Sequence, residues 1–220
     1  MQTAGSNKTA AQDAYDKAAK AFADPTLQRA VTAAAQDANA FLFARQDQYD
    51  VSGGLALGEP FLTDAELALL DDPRVSRFRR AENYRVAVNR VFSNALNYAL
   101  MVLIDQGHLR RSALMDHHST VFDDATLDFM GLLQRRHEAA SDVGGPAAQV
   151  TLTEAIMTFY SSPCKSSRNK VRDRILVPLA ELGLVSARYF VGDGYALRAG
   201  PVLTQTIKHA VEPWFVAHRF

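Results

Sequence analysis

SSRNKVRDRILVPLAELGLVSARYFVGDGYALR, residues Ser166 to Arg198, is the stretch that decides the fold. Its first half repeats apolar residues at Val171, Ile175, Leu179 and Leu182, the spacing of one helical face. That spacing predicts a helix over 167–182, with Ser167 as its cap, Pro178 as the place for a kink, and Gly183 as its stop. The second half changes period. Leu184 to Val191 alternates as a strand does, Gly192-Asp193-Gly194 is a tight-turn signal, and Tyr195 to Arg198 returns as a second strand. At 100° per residue, Lys165, Arg168, Asn169 and Arg172 point away from the apolar face.

Working outward, Val150-Thr151-Leu152 reads as a short strand entering a helix over 152–161, capped by Thr151 or Thr153. Asp124 to Glu138 reads as an amphipathic helix with Leu127, Met130, Leu132 and Leu133. Helix, short strand, helix, basic helix and hairpin in that order resemble a winged helix-turn-helix domain over about 124–199, and LAELGLV (Leu179 to Val185) is its most typical piece. The resemblance is to an architecture, not to one family. Two features depart from it: the turn Ser161 to Ser166 contains Pro163 and exceeds the usual three or four residues, and a Gly-Gly-Pro segment separates the first two helices.

The resemblance implies that the basic helix reads duplex DNA. Arg168 and Arg172 have the fork that binds guanine O6 and N7, and Asn169 has the amide that pairs with adenine N6 and N7. Lys165, Ser166, Ser167 and the amides at the helix start suit phosphate oxygens. Arg188 and Tyr189 on the wing are placed for the adjacent backbone or minor groove.

The N-terminal region is read as helical. KTAAQDAYDKAAKAFA (residues 8–23) and a second Ala-rich segment from Thr26 to about Gln48 form a helical hairpin broken at Asp24-Pro25. Residues 49–60 are a Gly-rich loop, and Thr63 caps a short helix. Residues 81–106 are apolar almost all round, which predicts a buried central helix closed by Gly107. A last helix runs from Pro201 to about His218. The fold expected is mainly α: a helical region over 1–123 for oligomerisation or partner contact, then a winged-helix domain with its C-terminal helix over 124–220. Residues 141–149 (SDVGGPAAQ) are the linker between its first and second helices.

A second basic cluster, RVSRFRRAENYRVAVNR (Arg74 to Arg90), has six Arg against one Glu. Positive side chains at a helix start oppose its dipole, so Arg77, Arg79, Arg80 and Arg85 form a candidate secondary anion site. Pairing with Asp71, Asp72 and Glu82 accounts for the same residues more simply.

Composition bounds the function. The chain has 220 residues, 24 basic and 24 acidic, and no net charge, which excludes a uniformly polycationic nucleic-acid binder. The charge is uneven: residues 1–140 carry 15 basic and 18 acidic side chains, residues 141–220 carry 9 and 6. No run of apolar residues is long enough for a membrane span, and MQTAGSNKTA lacks the apolar core of a secretory signal. One cysteine, Cys164, excludes an intramolecular disulfide and a Cys-rich zinc module, and a reducing cytoplasm, in a bacterial cell, is the simplest home. Beside Lys165, its thiol has a setting that favours the thiolate. Asp116, His117, His118, Asp123 and Asp124 are metal-ligand types, but no HExxH or His-x-His spacing organises them, and caps for the helix at 124 explain them better. No phosphate loop, dinucleotide fingerprint or nucleophile elbow is present. The expectation is a non-enzymatic, cofactor-free, dimeric DNA-binding regulator. The alternative is an interaction subunit of a larger DNA-handling or phage-defence assembly, anchored through the N-terminal helices or Trp214 and Phe215. A metal-dependent nuclease using the Asp116 to Asp124 group is the third reading.

Overall fold

A computed structural model describes residues 10–45, 91–112, 114–115, 122–143, 149–160, 164–190 and 194–217; of residues 124, 139–143, 165 and 189–190 it describes the backbone alone. The described residues are mainly helical, with one small three-stranded antiparallel sheet. Arg77, Arg79, Arg80 and Arg85, the loop at 49–60 and the cap at Thr63 lie outside them.

Helix α1 (Ala10–Phe22) and helix α2 (Pro25–Ala44) meet at Asp24. The Asp24 carboxylate accepts from the Thr26 amide at 2.6 Å, and Pro25 opens α2 without losing a needed donor. The two helices touch each other only lightly. The apolar face of α1 packs on the end of the basic helix and the first ribbon strand, whereas α2 lies along the last helix. The expected helical hairpin is therefore splayed, because each helix finds a larger apolar partner in the C-terminal half. Helix α3 is described over 91–105, where Val91, Phe92, Ala95, Leu96, Ala99, Leu100 and Leu103 are buried in the chain's own core. Gly107, at φ 74°, follows its end.

Asp123 caps helix α4 (Asp124–Val143) by accepting from the Thr126 amide at 2.8 Å. The helix runs past Glu138 into the segment expected as linker, since nothing in AASDV breaks it before Gly144. Strand β1 (Val150–Thr151) leads into helix α5 (Leu152–Phe159) through a capping box: Thr151 Oγ1 accepts from the Glu154 amide, and the Glu154 carboxylate accepts from the Thr151 amide at 2.8 Å. The same carboxylate pairs with Arg136 of α4 at 2.8 Å. The rings of Phe129 and Phe159 pack across the same two helices.

The basic helix, α6 (165–181), starts two residues earlier than the sequence suggests. Cys164 is its cap: its sulfur accepts from the Ser167 amide at 3.4 Å, and Ser167 is the third helical residue. The middle of α6 (Val171–Leu176) is π-helical, with the Val177 amide donating to Arg172 O. Proline supplies the reason. Pro178 has no amide to donate, and its ring collides with the carbonyl four residues back, so the preceding turn widens. The last helix, α7 (201–217), repeats the device: its π segment (Ile207–Val211) precedes Pro213 by two residues. Widening changes which side chains face inward. Val171 and Leu176, five apart, are fully buried, while Ile175 is half-buried. The four-residue spacing expected from Val171 to Ile175 is thus corrected to five.

Gly183, at φ 71°, ends α6, and a Cβ there would overlap the Phe22 ring and Val202. Strands β2 (Val185–Phe190) and β3 (Gly194–Ala199) pair antiparallel, symmetrically about Gly192, with Ala187 opposite Leu197 and Arg188 opposite Ala196. Strand β1 adds to the far edge of β3, giving the order β1-β3-β2. The ends of the ribbon are tied: Gly200 N donates to Leu184 O, and Val202 N to Gly183 O, each at 2.9 Å.

One continuous apolar cluster joins α1, α2 and α3 to α4 through α7. Residues on both sides of position 123 therefore share a core. Trp214, expected to be an anchor for a partner, is fully buried within its own chain and packs edge-on to Phe215. That burial corrects the expectation, since a side chain already committed to the core offers no free surface.

Candidate nucleic-acid interface

Alternation along the ribbon separates two faces. Val185, Tyr195 and Leu197 turn inward with Val150, while Ser186, Arg188, Arg198 and Thr151 are exposed on the other side. Register sets Arg188 opposite Ala196 and Arg198 opposite Ser186, so the two guanidinium-bearing residues are diagonal neighbours on the open face. Arg198 is absent from the candidates that the sequence supplies. The signal was available: pairing symmetric about Gly192 puts residues 188 and 198 on one face.

At the start of α6, Ser166, Arg168 and Asn169 are exposed, as are Lys170 and Arg174. Among the described residues no carboxylate pairs with Arg168 or Arg198. Arg188 has a partner within the chain, and so do Ser167 and Arg172. The hydroxyl of Ser167, a residue only 8% exposed, lies 3.1 Å from the Cys164 sulfur. The Arg172 guanidinium makes a two-pronged pair with Asp173, Nε to Oδ1 at 2.7 Å and a terminal nitrogen to Oδ2 at 2.9 Å. That hydrogen bonding holds the Asp173 carboxyl below the usual carboxylate range. The side chains of Lys165 and Tyr189 lie outside the described set; the Tyr189 backbone pairs with Tyr195.

Hydrogen bonds from the Ser167 hydroxyl and amide lower the pKa of the exposed Cys164 thiol. The cause is the cap itself, a sulfur held by the Ser167 hydroxyl and by amides of the helix start.

Behind this surface stands Tyr15 of α1. Its hydroxyl donates to Arg172 O in the π segment at 3.2 Å, and its ring meets the Tyr195 ring edge-on at 5.4 Å and 74°. Burial pushes the phenol pKa upward, so it stays a donor throughout the ordinary pH range. Helix α2 treats the second π segment alike: Asn39 Nδ2 donates to Ala210 O at 3.0 Å. A cavity of about 180 Å³ lies along the seam of α1 and the ribbon base, lined by Tyr15, Phe22, Ala180, Ser186 and Ala187 among others.

Among the described residues no group of three His, Cys, Asp or Glu side chains is arranged to hold a metal. Asp116, His117 and His118 lie outside them. Nor, among them, is any helix long and apolar enough to cross a membrane. No protein-family model, curated protein or solved structure matches the chain.

Proposed function

We propose that the chain is a non-enzymatic duplex-DNA-binding regulator whose residues from about 124 form a winged helix-turn-helix, with the start of α6 in the major groove and the open face of the ribbon against the adjacent backbone. The order α4, β1, α5, α6, β2, β3 and the strand order β1-β3-β2 support the architecture. The observation that carries the function is the pairing of two exposed cationic surfaces on a rigid apolar base: Arg168 and Asn169 on the helix, Arg188 and Arg198 on the ribbon. Arg168 and Asn169 supply base readout; the ribbon arginines supply phosphate contacts, which position without specifying. Arg172 plays a smaller part, because duplex contact requires it to exchange Asp173 for phosphate.

Affinity for a random duplex is expected to fall with salt with a log–log slope of roughly −4, and Arg168→Ala/Arg198→Ala to weaken binding and reduce that slope by about 1, through loss of the Arg198 phosphate contact. Undiminished binding by the double variant overturns the reading. Arg172→Ala alone changes affinity little, whereas Asp173→Ala raises it, because it removes a negative charge and releases Arg172.

A second reading, docking onto a partner protein in a DNA-handling assembly, draws on Met157 of α5 and Tyr160 just after it, large apolar side chains 51% and 36% exposed. Under the DNA reading, a homodimer closes through α7, where Val216 is 78% exposed beside half-buried Phe215. A two-fold protein then matches a two-fold site.

A further inference from the structure

We infer that Tyr15 is a positioning residue, which sets the angle between the basic helix and the ribbon and so makes two cationic surfaces act as one. One side chain reaches both: its hydroxyl holds Arg172 O in α6, and its ring abuts Tyr195 in β3, three residues from Arg198. The point of attachment matters. The widened turn at Val171–Leu176 separates the exposed start of α6, with Arg168 and Asn169, from the C-terminal part anchored by Leu179 and Leu182. A π turn is the place where a helix changes direction most cheaply. Apolar packing of α1 on the end of α6 and on β2 holds the C-terminal part of this seam, and a half-open cleft of about 180 Å³ runs beside it. The directional contacts of Tyr15 add the link to the π turn. Asn39 stands in the same relation to the π segment of α7, so bracing of a widened turn from the N-terminal helices occurs twice among the described residues.

The inference concerns the site proposed above and rests on that reading for its consequence, though not for its geometry. The test has two arms. In the first, spin labels at Lys170→Cys and Arg198→Cys, in a Cys164→Ser background, report the helix-to-ribbon distance without DNA. A single narrow distribution is expected with Tyr15, and a broadened or shifted one with Tyr15→Phe, which keeps the ring and removes one hydrogen bond. In the second arm, unlabelled Tyr15→Phe binds a random duplex about fivefold more weakly, with a shallower salt slope, as fewer phosphates are held at once. A loss of stability alone moves neither the distance nor the slope of the folded fraction. In the unaltered protein, a slowly exchanging Tyr15 hydroxyl proton is expected by NMR, independently of any variant. An unchanged distance distribution, or a rapidly exchanging hydroxyl, overturns the inference. A changed distribution in a protein that binds no duplex leaves the brace standing and removes the DNA reading.

Discussion

Cys164 shows how much one side chain decides. A cysteine in a turn before a helix reads from sequence as a reactive thiol or an inert small residue, and the structure gives it a third role, as the helix cap. The sequence pointed to Ser167 because serine is the better-known capping residue, but Ser167 sits inside the first turn and supports the cap. Cys164→Ser is expected to leave stability unchanged or raise it, and Cys164→Ala to lower it, measured by urea unfolding. Alkylation of the thiol should show its inflection below the pH typical of free cysteine, since the capping hydrogen bonds favour the thiolate. Three carboxylates act in a parallel way. Amides of Thr26 and Leu27 lower the pKa of Asp24, the Thr151 amide lowers that of Glu154, and the Arg172 guanidinium lowers that of Asp173. A lowered folded pKa means that the stability contributed is complete above the unfolded carboxylate value, about 4, and is lost as pH falls through the folded values. Urea midpoints should therefore hold between pH 7 and 5 and decline steadily toward pH 2.

At the scale of the element, the ribbon was the most legible part, because alternation about a Gly-Asp-Gly signal specifies two strands and their register; Gly194 of that signal opens β3, and Gly192 and Asp193 lie outside the described residues. The order of helices from 124 onward was legible for the same reason: breakers and caps punctuate it. Inward-facing residues in α6 were not fully legible, because a helical wheel assumes 100° per residue and Pro178 invalidates that assumption one turn upstream. Ile175 and Leu176 exchange places as a result. Leu176→Ala is expected to cost about 3 kcal/mol and Ile175→Ala distinctly less, in equilibrium urea unfolding. Equal costs would mean that the turn is an ordinary α turn in solution. The pairing of Arg172 with Asp173 escaped sequence reading for a related reason: sequence neighbours on an α-helix do not normally face each other.

For the whole molecule, the buried described residues on the two sides of position 123 belong to one apolar cluster. Sequence could not show this, since which faces of α1 and α2 are covered, and by what, depends on contacts with residues more than 150 positions away. Thermal unfolding followed by far-ultraviolet dichroism, which reports all the helices, and by the fluorescence of Trp214 in α7 should give coincident single transitions. Separate midpoints would indicate two independently melting bodies. The meeting of Gly183 and Gly200 has a further consequence. The Gly183 carbonyl lies against Gly200, and the bonds Gly200 N to Leu184 O and Val202 N to Gly183 O cross the foot of the ribbon, so the chain leaves and rejoins the helical body at nearly one point. Everything between is a closed excursion. Residues beyond the Tyr189–Tyr195 rung can be added or removed in opposing pairs, changing the reach of the arm without altering the spacing of the helices from which it springs.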